Sequence, residues 1–282
     1  INSVLWGVFV LIPLLCGTGI FYSFKLRFPQ VRHFGFAARY MFGGATLFGK
    51  KADKTGMSSF QALATAVAAQ VGTGNVAGTA TALVSGGPGA LFWLWVAAFF
   101  GMATIFAEAV LAQTFKTTDE HGHVVGGPAY YITRGMGPKF KPLAAFFSIA
   151  IIIALGCIGN MVQSNSISKG MHTAFDIPLL VSGIVTAILA GLVFFGGVRR
   201  LASVTEKLVP IMAAIYLLGG TYVILCHIDL VGSAFELIFT AAFNPQAMAG
   251  GALGLTVAKA MQFGVARGLF SNEAGMGSTP HA

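Results

Sequence analysis

The residues best suited to hold a small polar solute lie together in one stretch, Gln70-Val71-Gly72-Thr73-Gly74-Asn75-Val76-Ala77-Gly78. Three glycines within seven residues weaken a helix, since each costs about 1 kcal/mol relative to Ala. A threonine hydroxyl and an asparagine amide stand between them. The flanks are apolar and together long enough to cross a membrane. In hydrocarbon a loosened backbone is tolerated only where it is buried in protein or lines a wet cavity. A break at mid-membrane depth therefore reads as a binding site for something small and polar. The chemistry on offer is hydrogen bonding and oxygen ligation, without a covalent step.

The elements that position this stretch are set by composition. The chain has 282 residues, 56% hydrophobic and only 9% charged. A soluble domain carries about 25% charged residues, so this is a polytopic membrane protein. Its net charge of +8 has a topological explanation, and no nucleic-acid partner is expected. Cys16, Cys157 and Cys226 lie in apolar segments without paired spacing and read as buried thiols. The first apolar run lacks a basic n-region and a small-residue cleavage site, which makes it a span and not a signal peptide. A start at Ile1 instead of Met leads to the expectation that the natural beginning lies upstream.

Apolar runs of about 20 residues mark membrane helices. Seven are predicted, at 3–24, 59–82, 88–114, 142–168, 177–198, 203–227 and 248–270. A basic connector fills 25–54 and a polar loop 115–141. An amphipathic stretch near 230–243 is too short to cross, and a tight linker is expected at 169–176. The connectors on one side hold fourteen Lys and Arg, among them Lys25, Arg27, Arg32, Arg39, Arg134, Arg199 and Lys207, while the opposite connectors hold only Lys169. That asymmetry places the basic connectors in the cytoplasm and the amino terminus outside.

A second glycine-punctuated segment, Gly264-Val265-Ala266-Arg267-Gly268-Leu269-Phe270-Ser271-Asn272-Glu273-Ala274-Gly275-Met276-Gly277-Ser278, also falls in a membrane-length run, with Gly250-Gly251 in its outer half. Its helix lies five helices after the one at 59–82 and so runs antiparallel to it. Two broken helices of opposite polarity are the expected mark of an inverted-repeat transporter, in which half-helix ends face the solute and freed carbonyls hold a cation. The competing reading is a glycine-rich packing helix.

Other functions fit less well. A nucleotide-binding reading of Gly72-x-Gly74 needs a strand before it and a soluble βαβ unit around it. Val71-Gly72-Thr73-Gly74 is similar to a potassium-filter loop, which would make the chain an oligomeric channel, but a filter has no use for a second broken helix. His121-Gly122-His123 has no third ligand at metal spacing. No Ser-His-Asp or Cys-His set shares a membrane depth, so no enzyme activity is expected.

Several motifs together resemble one family, the alanine/glycine:cation symporters. They are Gly72-Thr73-Gly74-Asn75-Val76-Ala77-Gly78, Gly86-Gly87-Pro88-Gly89-Ala90, Phe92-Trp93-Leu94-Trp95, Gly126-Gly127-Pro128-Ala129-Tyr130-Tyr131, Gly159-Asn160-Met161-Val162-Gln163-Ser164-Asn165 and Ser271-Asn272-Glu273-Ala274-Gly275-Met276-Gly277-Ser278. The resemblance runs through nearly all of 55–282. It implies an all-α integral membrane protein of the leucine-transporter-type inverted-repeat bundle (APC superfamily), with an extra amino-terminal helix. The expected organisation is 1–58 for that helix and its basic connector, 59–227 for the first five-helix repeat, and 228–282 for an outer connector and the first, broken helix of the second repeat. The chain would then be an incomplete bundle of about seven helices, a fragment of a symporter, whose isolated activity is open to a non-transporting alternative. The implied function is sodium-coupled import of alanine, glycine or similar small neutral amino acids across the cell (inner or plasma) membrane. No cofactor is expected beyond sodium as coupling ion; the lipid bilayer is the other partner and a monomer the expected state.

An amino acid needs donors for its carboxylate and acceptors for its ammonium. Backbone N–H groups of Thr73, Gly74 and Asn75, with the Thr73 hydroxyl, can serve the carboxylate at an exposed half-helix terminus. Gln163, with Asn160 one turn away on the same face, can accept from the ammonium. Both assignments agree with the resemblance, and the competing roles are close packing and interhelical hydrogen bonding. For sodium, the preference of a hard cation for oxygen selects the carbonyls of Ala68, Gln70 and Val71 and the Asn75 amide. Glu108 is expected to pair or snorkel near a helix end, Glu273 to pair with Arg267 or cap a half-helix, and Trp93 and Trp95 to anchor at the interface.

Overall fold

The computed structural model describes residues 10–43, 59–120, 124–243 and 257–281. Helix is the dominant structure. The chain opens with α1 (Leu11–Lys25), the single turn α2 (Pro29–Arg32) and α3 (Phe34–Gly43). Next come α4 (Ser59–Gln70), a π-helical turn at Gly74–Gly78, α5 (Thr79–Gly86) and the long α6 (Gly89–Phe115). A loop region then holds α7 (Pro128–Tyr131), a second π turn (Ile132–Met136) and a 3-10 turn (Pro138–Phe140). Beyond it lie α8 (Lys141–Ile151), a π segment (Ile152–Gly159), α9 (Asn160–Phe175), α10 (Leu179–Phe194), α11 (Gly197–Cys226), α12 (Ile228–Phe243) and α13 (Val257–Asn272), with a last 3-10 turn at Thr279–His281. Among the described residues three continuous helices are long and apolar enough to cross a bilayer, Gly89–Phe115, Pro138–Phe175 and Arg200–Cys226, and the 16-residue α10 is a shorter apolar helix. The protein is an α-helical membrane protein.

Several boundaries differ from expectation. The basic residues at 199–207 do not form a loop: α11 starts at Gly197, directly after a turn at 195–196. Ala, Leu, Glu and Lys there are good helix formers, and apolar periodicity alone cannot detect a polar first turn. Helix α9 continues through the expected linker as far as Phe175, where Asp176 takes a left-handed conformation (φ 55°) before Pro178. The polar loop at 115–141 contains a short antiparallel ribbon pairing Thr117–Thr118 with Val124–Val125. Gly250-Gly251 and His121-Gly122-His123 lie outside the described residues.

The chain divides into two compact units, Ile1–Tyr40 with Gly74–Ala107 and Ile211–Met276, and Met41–Thr73 with Glu108–Pro210 and Gly277–Ala282. This is a partition by proximity, distinct in kind from the repeat boundaries expected above. Of its five borders, two fall at Thr73/Gly74 and Met276/Gly277, within the two glycine segments, and one at Pro210, a proline inside α11 where the helix cannot complete its hydrogen-bond ladder; the others are Tyr40/Met41 and Ala107/Glu108.

In the first unit, α13 packs on α5 and α12 and against α6. Its core is Ile12, Ala97, Val265, Leu269 and Ala274, with Leu15, Cys16, Trp93, Ile105 and Met261 around it. Gly264 and Gly268, four residues apart, make the close approach possible. A Cβ at Gly264 would overlap the Ala90 carbonyl oxygen, and one at Gly268 would lie 3.1 Å from that of Leu94. Small residues at this spacing let membrane helices meet backbone to backbone. Trp93 donates its indole N–H to the Ala242 carbonyl at 3.3 Å, and Phe92, Trp93 and Trp95 meet Phe235, Phe239 and Phe243 edge-on or tilted. These tryptophans hold α12 to the start of α6, a structural role that the interfacial expectation did not include.

In the second unit, α9 packs on α10 over the buried Ser168 and Ser182. Helix α4 joins α11 through polar side chains: Gln61 Nε2 donates to Glu206 Oε2 at 2.9 Å, and the hydroxyls of Thr65 and Thr205 lie 3.2 Å apart. Pro128 is fully buried, and a Cβ at Gly277 would lie 3.0 Å from its ring and 2.7 Å from Phe147.

The glycine seam is testable. Gly264→Ala should destabilise the folded protein by about 1–3 kcal/mol, the usual cost of forcing a carbon into a filled contact. Gly232→Ala, where nothing lies within 4 Å, should not destabilise it. Thermal unfolding in detergent distinguishes the two, and equal midpoints would refute the backbone contact.

Candidate functional site

The first break is real, and its form is specific. Helix α4 makes its last ladder bond from Val71 N–H to Val67 O at 2.8 Å, bends at 71–72, and continues as the π turn Gly74–Gly78. π turns are rare and concentrate at functional sites. Two threonines stabilise the widened turn: Thr79 Oγ1 donates to Asn75 O at 2.8 Å and Thr81 Oγ1 to Ala77 O at 2.7 Å. Ala68 and Gln70 carry carbonyls of the last α4 turn, the set that an α-helix does not satisfy within itself, and Val71 follows directly after it.

Thr73 and Gln163, ninety residues apart, are brought together. The Thr73 hydroxyl donates to Gln163 Oε1 at 2.8 Å, and the Thr73 backbone N–H donates to the same oxygen at 3.2 Å. Gly72 makes room for this: a Cβ there would lie 2.6 Å from Gln163 Nε2. Gln163 sits in α9, immediately after the eight-residue π segment Ile152–Gly159. Isoleucines with Gly156 and Gly159 weaken the α-helix there. Asn160 Nδ2 donates to Gly156 O at 2.8 Å, so Asn160 serves the backbone of its own helix. Two of the three π segments among the described residues thus adjoin residues expected at the site, Thr73 and Asn160.

The second segment separates into two parts. Its glycines at 264 and 268 are packing residues in a continuous helix, as the competing reading held. The helix ends at Asn272, and the residues after it form turns over 273–278 and a 3-10 turn at Thr279–His281. Glu273 follows the helix with φ 55°, and Gly275 and Gly277 have φ 83° and 70°. A left-handed residue commonly ends a helix, but it is usually glycine; a glutamate there is strained. Its carbonyl accepts from Met276 N–H at 3.1 Å. The first break reaches this region twice. Gln70 Nε2 donates to Thr279 Oγ1 at 3.2 Å in the second unit. In the first unit, a Cβ at Gly78 would lie 3.7 Å from Arg267 Cδ and 4.0 Å from Ser271 Oγ. Ser271 is 9% exposed, and among the described residues its hydroxyl has no hydrogen-bond partner. Thr279 and Ser271 were not singled out from the sequence, although Ser271 lay within a quoted motif and Thr279 directly follows it. Glu108 is half-buried in α6. Among the described residues no group of three or more His, Cys, Asp or Glu could hold a metal ion.

The two breaks are joined by side-chain contact, and a threonine on one is bonded to a glutamine on a third element. The family model described as the sodium:alanine symporter family matches residues 1–282. The chain belongs to that family. It is 46% identical to an uncharacterised transporter of Haemophilus influenzae, 43% identical to the sodium/alanine symporter AgcS of Methanococcus maripaludis, and 43% identical to a putative sodium/proton-dependent alanine carrier of Bacillus subtilis. Each match covers the whole of this chain and 60%, 61% and 55% of the respective relative. The chain therefore spans somewhat over half the length of these relatives.

If Thr73 and Gln163 are bonded as described, their effects on stability must be non-additive. A double-mutant cycle of Thr73→Val and Gln163→Leu should show coupling of about 0.5–1.5 kcal/mol in unfolding free energy. Additivity within about 0.3 kcal/mol, the behaviour of independent sites, would show that the contact is not formed.

Proposed function

We propose that the full-length protein containing this chain imports small neutral amino acids, alanine and glycine first among them, by symport with sodium across the cell membrane. The observation that carries the reading is the Thr73–Gln163 pair. In the structure a donor set, the Thr73 hydroxyl and N–H, is matched to an acceptor, the Gln163 carbonyl oxygen. A zwitterionic amino acid carries the complementary set. Its carboxylate takes the Thr73 donors, with the N–H groups of Gly74 and Asn75 next in the chain, and its ammonium donates to Gln163. Asn160, one turn away, lies on the same face of α9. Exchange of one satisfied bond set for another is close to neutral in free energy, whereas leaving either set bare is costly. The tight fit of Gly72 against Gln163 favours a small solute.

Sodium is the second substrate. A hard cation prefers oxygen ligands, and the carbonyls of Ala68, Gln70 and Val71 with the Asn75 amide supply them on one short segment. The buried Ser271 hydroxyl beside Gly78 is a further oxygen. Two inverted five-helix repeats of the leucine-transporter type, about seven membrane helices in this chain, and cytoplasmic basic connectors complete the reading. It is supported by the polarity of the two broken helices and by the family. A channel filter is disfavoured because the chain belongs to a family of symporters.

In proteoliposomes holding the full-length protein, an inward sodium gradient should drive saturable alanine uptake. Thr73→Val and Gln163→Ala should each lower kcat/KM roughly 10–100-fold, the value of a hydrogen bond to a charged group. Gly72→Ala should keep the fold but displace the Gln163 amide and reduce uptake. Unchanged sodium-driven uptake by Thr73→Val would sink the site assignment, and unitary currents from the purified protein would replace the carrier with a channel.

A further inference from the structure

The segment Gly126-Gly127-Pro128-Ala129-Tyr130-Tyr131 folds into a tight corner. Gly127 is buried with φ 96°, a conformation that favours glycine. Pro128 follows at the start of α7, where its fixed φ suits a helix. The Gly127 carbonyl accepts from the N–H groups of Tyr130 and Tyr131 at 3.1 and 3.2 Å, and Thr133 Oγ1 donates to Ala129 O at 2.8 Å. These bonds close the corner. Helix α7 packs on α8, which carries Phe147.

What the corner holds is the second break. Pro128 is fully buried, and Gly277 sits between its ring and that of Phe147. A Cβ at Gly277 would lie 3.0 Å from Pro128 and 2.7 Å from Phe147, and the backbone there has φ 70°. Glycine is the residue that fits. Two residues on, the 3-10 turn Thr279–His281 packs against α4, and Thr279 Oγ1 accepts from Gln70 Nε2 at 3.2 Å. All of these residues belong to the second unit. Gln70 is the last residue of α4, and its carbonyl lies in the turn beyond the acceptors that an α-helix uses itself. Helix ends fray unless something else holds them. Here the holder is a hydroxyl anchored through Gly277.

We propose that Thr279 is a positioning residue for sodium: its bond to the Gln70 side chain sets where the Gln70 carbonyl points. The clamp of Pro128 and Phe147 on Gly277 keeps Thr279 in register for that bond. This role rests on the sodium-symport reading, and it ties the second break to the cation. Thr279 acts through Gln70 and supplies no ligand of its own. Groups behind a ligand orient it, and their loss weakens ion binding while every ligand remains.

The test uses the full-length protein in detergent and in proteoliposomes. Binding of radioactive sodium alone, and of radioactive alanine at saturating sodium, is measured for each variant. Thr279→Val should raise the sodium Kd roughly 3–10-fold, the value of one neutral hydrogen bond, and leave the alanine Kd within about twofold. Thr279→Ser keeps the hydroxyl and should bind sodium as the wild type does, which separates the bond from misfolding. Gln70→Leu should show the same shift as Thr279→Val, and the double variant no larger one, because the two residues act as a unit. Unchanged sodium affinity in Thr279→Val, weakened binding in Thr279→Ser, or additive losses in the double variant would each refute the role. So would an equal weakening of alanine binding, which would make Thr279 a general prop of the fold. In proteoliposomes, a wild type that takes up alanine without sodium would overturn the proposed function and this role together. Sodium-driven uptake by the wild type, with Thr279→Val unaffected at limiting sodium, would overturn the role alone.

Discussion

A backbone N–H or C=O placed in hydrocarbon must find its partner inside the protein, because lipid offers none. Several departures from regular helix among the described residues follow that requirement. At the first break the widened turn at 74–78 sends carbonyls away from their usual partners. Thr79 and Thr81 reach back four residues to Asn75 and Ala77. The Thr73 N–H finds the Gln163 side chain on another helix, and in the π segment before Gln163 the Asn160 amide reaches Gly156 O. At the second break Glu273 accepts from Met276 at the cost of a left-handed backbone. Polar residues in these apolar helices are thus the side-chain half of the irregular backbone, and a site can form only where that backbone is supported.

Glycine performs two different tasks here, and sequence spacing does not separate them. Gly264 and Gly268 let α13 press onto α6 in an unbroken helix, with no room for a Cβ against the carbonyls of Ala90 and Leu94. Gly72 admits a side-chain amide, and Gly275 and Gly277 accept φ values that other residues avoid. The 15-residue stretch at 264–278 therefore reads as one interrupted segment from its composition, but physically it is a packing seam followed by a break.

This distinction marks how far the sequence was legible. The position of the first break and its polar residues followed from residue types that are costly in hydrocarbon unless they serve a purpose; Thr73 and Gln163 were each expected to face a solute, and the direct bond between them was not expected. The π segment at 152–159 did not, although Gly156, Gly159 and Asn160 at its end were the available signal; helix width is a property of the ladder and leaves only a weak mark on composition. The Gln70–Thr279 bond and the burial of Ser271 depend on tertiary contacts made after more than two hundred residues and on the neighbours of α13, which local pattern cannot convey. The ribbon at Thr117–Thr118 and Val124–Val125 is too short to show alternation. The polar start of α11 was missed because hydropathy marks where a helix enters the membrane, not where it begins.

The self-matched pair has a consequence for selectivity under the proposed exchange. A solute with only a carboxylate can engage the Thr73 donors but strands the Gln163 oxygen, and one with only an amine does the reverse. Each leaves a polar group without its partner, at roughly 1–3 kcal/mol. A site built to bond both ends of its ligand rejects an analogue lacking one end more strongly than a hydrophobic pocket rejects a missing methylene. Only a zwitterion satisfies both ends at once. The discrimination then arises from the protein's own hydrogen bond, which sets the balance that any solute must equal before it can bind, while the packing of Gly72 limits how large that solute can be.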